Sequence, residues 1–88
     1  MAMYLIESPH TQDECLRSLD ELESRGKDTL DRFEFGCHHG VHTAWATMEA
    51  KSEADARTVL PSFVRSRARV VEVDRETPEK IRSYHNMK

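Results

Sequence analysis

The sequence has no apolar run approaching the ~18 residues a membrane span needs. Its three glycines and three prolines are scattered, so no flexible linker, low-complexity tract or repeat divides it. Neither sign of charge predominates: 13 Lys and Arg stand against 16 Asp and Glu, interspersed, for a net charge of −3. That balance offers nucleic acid or an anionic membrane no basic surface. RFEFGC has the aromatics of an RNA-binding strand without its glycine and basic spacing. The opening MAMYLIESPH carries neither a basic start nor a long apolar stretch, so no export signal is expected and a cytoplasmic protein is. Two cysteines in such a chain point away from a disulfide framework, toward free thiols, metal ligands or redox work. A serine triad, a phosphate loop and a paired-carboxylate arrangement are all missing, which leaves no sharp reaction class.

What is present suits one soluble domain spanning residues 1–88, with 38% apolar and 33% charged residues. A chain this short leaves about a third of its extended-chain surface exposed after folding, so help from a partner subunit is expected.

Met3 to Glu7 (MYLIE) is a short apolar and aromatic run closed by Ser8 and Pro9, which predicts a strand. Thr11 and Glu14 have the spacing of a capping box, opening a helix whose Cys15, Leu16, Leu19 and Leu22 face inward and whose end is marked by Gly26. Leu30 to Cys37 alternates, with Phe33, Phe35 and Cys37 on one side and Arg32, Glu34 and Gly36 on the other, and predicts a second strand. A third runs from Val41 to about Ala50, joined to it by a tight His39-Gly40 turn. That register pairs Cys37 with His42, Phe35 with Ala44 and Phe33 with Ala46. A second helix opens at Ser52 and turns Ala56, Val59, Leu60, Phe63 and Val64 inward, with a kink or restart at Pro61. Ala68 to Asp74 predicts a fourth strand, and Thr77-Pro78-Glu79 opens a short final helix ending near His85.

The order β-α-β-β-α-β is that of an α+β, ferredoxin-like domain: a four-stranded antiparallel sheet with two helices on one face, here with a short C-terminal helix added. Two helices leave the other face open. Trp45 lies there with Thr43, Thr47, Glu34 and Arg32, and burying Trp45 against the same patch of a second copy gives a two-fold homodimer. Otherwise Trp45 packs under the terminal helix.

The topology brings the end of the first strand to the hairpin, so His10 and Cys15 meet Cys37 and His42. His10 precedes the helix cap and Cys15 is the fourth helical position, the two places that touch in a hydrophobic staple. Two thiols and two imidazoles form a tetrahedral zinc set; the same donors suit Cu(I), and nickel is a third candidate. His38 and His39 are available as replacements or as outer hydrogen-bond partners of the ligands. The plain alternative makes both cysteines small core residues and the histidines staple and turn residues. Arg65, Arg67 and Arg69 lie near the same rim, where they either meet a carboxylate or phosphate or form solvated ion pairs. Read as a small enzyme without an organic cofactor, the cluster offers His42 as acid or base and Cys37 as nucleophile, acting on a small anionic or aromatic molecule. A third reading is a purely structural or interaction dimer.

MYLIE, the post-hairpin VHTAWATMEA, the helix start SEADA, and ARVVEV with its following TPE together resemble the small bacterial ferredoxin-like proteins of the dimeric α/β-barrel superfamily, over roughly residues 3–80. Relatives of that group include small nickel-binding proteins, muconolactone isomerase-like enzymes and antibiotic-biosynthesis monooxygenase-like domains. The resemblance implies the fold and dimerisation and favours a bound metal. It carries no ligand position onto this chain, and it leaves activity open because the superfold hosts unrelated functions.

Overall fold

The computed structural model describes residues 1–86. In chain order these form β1 (Ala2–Pro9), α1 (Cys15–Ser24), α2 (Lys27–Asp31), β2 (Phe33–Phe35), β3 (Thr43–Ala50), α3 (Glu53–Arg57), β4 (Arg69–Val73) and α4 (Pro78–His85). Single 3-10 turns occupy Gln12–Glu14, Cys37–His39 and Arg65–Arg67. The fold is mixed α+β, built on a four-stranded sheet in the order β2-β3-β1-β4 with every neighbouring pair antiparallel.

Alternation along β1 decides which face is covered. Tyr4, Ile6 and Ser8 are buried while Met3, Leu5 and Glu7 are exposed. On the covered face the alanines of β3, Ala44, Ala46 and Ala50, leave room for helices to approach closely, and Leu22, Ala56, Leu60 and Val64 fill that room. Complete burial of a side chain such as Ile6, Leu22, Leu60 or Val64 contributes about 1.5–3 kcal/mol, and Tyr4, Phe33 and Val70 join these four in the small core.

Two expected elements change shape. The second strand is only Phe33–Phe35, because Gly26, at φ +111°, restarts the chain as α2 and places Leu30 on a helix against the core. Lys27 and Asp31 pair across that helix at 3.6 Å. Local helix-forming contacts there outweigh the alternation that suggested a longer strand. The second helix likewise stops at Arg57. Pro61 cannot continue it, and turns carry Leu60 and Val64 to the same inward positions. Within α1, Leu22 is buried but Leu16 is 68% exposed, since the helical stripe turns Ser18 and Leu22 rather than Leu16 toward the sheet.

The β2–β3 register pairs Phe33 with Ala46 and Phe35 with Ala44, as the alternation predicts. The two-residue His39-Gly40 turn does not form. The connection is longer and wraps around Gly36, whose carbonyl accepts from His39 N–H at 2.9 Å and Val41 N–H at 3.0 Å, and Gly40 alone takes the left-handed conformation, at φ +83°. A Cβ on Gly36 would lie 2.8 Å from the Val41 carbonyl oxygen and 3.1 Å from the Trp45 ring, so only glycine fits there.

The opposite sheet face carries Met3, Leu5, Glu7, Trp45, Thr47, Arg69 and Val71, and Trp45 Nε1–H donates to Glu7 at 3.2 Å. The final helix is capped by Thr77, which accepts from Lys80 N–H at 3.1 Å, but it buries none of its residues. It therefore does not cover Trp45. The molecule is accordingly long, at 51 × 28 × 23 Å, with a radius of gyration of 15.7 Å. A compact chain of this length has about 12 Å.

Candidate metal centre

Strand register builds the site. β1 and β3 pair Pro9 with Thr43, and one step further His10 N–H donates to the His42 carbonyl at 3.0 Å, setting the two histidines side by side. The expected strand pairing of Cys37 with His42 does not form, because the β2–β3 register ends at Phe35 and Ala44 and the chain enters a 3-10 turn after Gly36; that turn still brings Cys37 into the cluster. Above them α1 begins at Cys15. Its position is fixed by the capping box: Glu14 accepts from Thr11 N–H at 2.8 Å, and the Thr11 side chain accepts in turn from the Glu14 backbone.

The result is a compact donor set. One ligand atom from each of His10, Cys15, Cys37 and His42 lies within 4.8 Å of all the others. Cys15 Sγ is 2.7 Å from Cys37 Sγ, His10 Nε2 is 3.1 Å from Cys37 Sγ, and the two imidazoles meet edge to face at 6.1 Å between centroids. Ligands around tetrahedral Zn²⁺, at ~2.0–2.3 Å from the ion, stand roughly 3.3–3.8 Å apart. Side-chain adjustments of about 1 Å connect the two arrangements, with the sulfurs parting and the wider pairs closing.

Burial shapes the chemistry. His10 is buried and the other three are half-buried. Desolvation lowers the pKa of His10; a hydrogen bond to the Ser8 backbone opposes this, and the neighbouring His42 adds to it. The neutral imidazole is the form that ligates. Burial, followed by the hydrogen bond that Cys37 shares with Cys15, pushes the Cys37 thiol up to about 11. A cation seated among the four reverses that preference, because a coordinating thiol is deprotonated. His42 Nδ1 is buried without a hydrogen-bond partner, as is Ser18 Oγ one helical turn beyond Cys15. Such an orphan costs about 1–3 kcal/mol unless something occupies it, and at His42 a metal ion is the partner that the surrounding donors suit.

Of the other residues singled out in the sequence, His38 and His39 are exposed on the turn, outside the four-residue cluster. Arg65 donates to the Leu60 and Thr58 carbonyls at 2.8 and 3.1 Å. Arg67 grips both carboxylate oxygens of Glu14 at 2.9 and 2.7 Å and reaches the Phe63 carbonyl at 2.9 Å. Arg67 is thus engaged by an internal carboxylate, while Arg65 holds backbone carbonyls and also lines a surface hollow against α3. Sequence reading missed the Arg67–Glu14 pair: the residues are 53 apart, and capping alone already explained Glu14. That pair ties the Arg65–Arg67 turn to the start of α1, beside Cys15.

Surface hollows lie elsewhere. One of about 440 Å³ sits against α3, between Ser52 and Arg65, and two of about 270 and 200 Å³ lie over the open sheet face, beside Leu5 and Val71 and beside Met3 and Val73. None of the three is lined by a residue of the cluster. No known protein family, no curated protein and no solved structure matches this chain. Among the described residues no helix is long and apolar enough to cross a membrane.

Proposed function

We propose that this protein is a small metal-binding module holding one transition-metal ion per chain through His10, Cys15, Cys37 and His42. The observation that carries the reading is the convergence of four soft and borderline donors, from three separate parts of the chain, within 4.8 Å. Zinc is the first candidate, because two thiolates and two imidazoles satisfy its four-coordinate tetrahedral preference; Cu(I) is the second and nickel the third. Four protein ligands leave no open position for a substrate, so the site holds, buffers or senses the ion and does not activate water on it. The cluster lines none of the three hollows described, which weighs against an enzyme acting there on a small anionic or aromatic molecule. The direct test is metal titration of reduced, metal-free protein. Uptake of one zinc per chain, abolished in Cys37→Ser/His42→Ala, supports the site; unchanged stoichiometry in that double variant removes it.

The strand order, with β1 between β3 and β4 and the helices packed on one side, supports the ferredoxin-like assignment. The working unit in this reading is a cytoplasmic homodimer. Met3, Leu5 and Val71 are 37, 42 and 39% exposed on the same sheet face as Trp45, and covering these apolar side chains with a second copy is what supports the dimer. Glu7 and Arg69, neighbours in the register, supply the complementary charges that a two-fold axis exchanges between subunits.

A further inference from the structure

The two cysteines of the cluster stand in a relation that metal binding alone does not require. Their sulfurs are 2.7 Å apart, both thiols are free, and both are half-buried, open enough for a small oxidant to reach. They come from segments held independently. Cys15 opens α1 under the Thr11/Glu14 capping box and the Arg67 clamp, and Cys37 sits in the turn wound around Gly36. A disulfide needs sulfurs at ~2.05 Å, whereas two thiolates sharing a tetrahedral zinc ion stand about 3.8 Å apart. The observed 2.7 Å separation lies between these limits. The sulfurs therefore stand within about an ångström of either separation, and the pair cannot occupy both states at once.

We propose that Cys15 and Cys37 form a peroxide-sensitive dithiol whose closure to a disulfide ejects the metal, so that the site is a redox-gated metal store or sensor. The inference rests on the metal-binding reading above. One sulfur attacks a peroxide oxygen; the O–O bond breaks, an S–O bond forms, and the distal oxygen leaves as water after taking up a proton. The second sulfur attacks the resulting sulfenic sulfur, the S–S bond forms, the S–O bond breaks, and the second oxygen leaves as water. Overall, two thiolates, one hydrogen peroxide and two protons give one disulfide and two waters. The sulfurs lose two electrons, the peroxide gains two, and the metal keeps its charge. With both thiolates gone, two imidazoles remain, too few to hold zinc tightly. A dithiol reductant restores the site by thiol–disulfide exchange.

The test treats full-length, zinc-loaded wild-type protein with a small excess of hydrogen peroxide. Zinc release is followed with a chromogenic chelator, thiols are counted, and intact and peptide masses are recorded. The expected result is loss of two thiols and 2 Da per chain, an internal link between the Cys15 and Cys37 peptides, stoichiometric zinc release, and recovery of all three signals with dithiothreitol. Cys15→Ser, treated with peroxide in its reduced form without zinc loading, should give no 2 Da loss. Zinc that stays bound while the disulfide forms would overturn the gate. So would zinc-loaded protein whose thiols resist closure or go instead to sulfinic acid or links between chains; in that case metal binding stands and only the redox inference fails. Reduced protein that takes up no zinc yet still forms the disulfide would remove the metal-binding reading, and the gate with it.

Discussion

At the scale of single residues, the hairpin turn carries most of the specificity. Gly36→Ala forces a methyl group to within 2.8 Å of a backbone oxygen. It should destabilise the fold by about 1–3 kcal/mol in denaturant unfolding, the usual cost of overpacking, and should weaken metal uptake in parallel because Cys37 follows directly. His38→Ala and His39→Ala remove exposed rings outside the cluster, so metal stoichiometry should stay unchanged, in contrast to His42→Ala. Loss of metal in either turn variant would mean that the ligand set is misassigned. Glu14 supplies a pH prediction. Its hydrogen bonds from Arg67 and then from the Thr11 backbone lower its pKa from 4.5 to about 2. A carboxylate depressed on folding contributes stability that is fully present above about pH 4.5 and is lost as pH falls through about 2. Glu14→Gln keeps the capping geometry without the charge, so its melting temperature should lie below that of wild type at neutral pH, and the gap should narrow across that acid window. A gap that stays constant down to pH 2 would show that the ion pair contributes nothing.

Among the elements, what was legible in the sequence and what was not follow physical lines. Strands β1, β3 and β4 and the capped terminal helix were readable because alternation, capping residues and a proline at the first helical turn are local signals. The β2–β3 register was readable for the same reason, through Phe33, Phe35, Ala44 and Ala46. What escaped were choices made by contacts distant in sequence or by backbone conformation. Gly26 at φ +111° starts α2 where alternation continued the strand, and Gly36 gathers a longer loop where His39-Gly40 suggested a tight turn. The four-residue cluster was nevertheless legible, because the strand order puts His10, Cys37 and His42 at one end of three adjacent strands and the capping box starts α1 with Cys15 beside them. Their separations, the orphaned His42 Nδ1 and the Arg67 clamp depend on side-chain geometry that no spacing encodes.

For the whole molecule, the exposed sheet face and the unpacked α4 are its least satisfied features. Ile81 and Tyr84 of that helix are 47 and 52% exposed, and the open face carries Trp45 among Met3, Leu5 and Val71. A second copy satisfies both if sheets meet face to face and each α4 packs on its partner. Light scattering should then give twice the mass of one chain, and Trp45→Asp should shift the protein toward monomer without abolishing zinc uptake. A wild-type monomer at high micromolar concentration would exclude the dimer while leaving the metal centre untouched. Zinc binding should in turn stabilise the fold, by about 2.7 kcal/mol at a free concentration one hundred times Kd. The most direct test of the central claim is the metal content of untagged protein purified without chelator or added metal, followed by titration of the stripped, reduced chain. The expected result is one zinc, copper or nickel ion per chain, lost in Cys37→Ser/His42→Ala. Absence of metal as purified, together with no uptake on titration, would contradict the account and reduce the cluster to core packing.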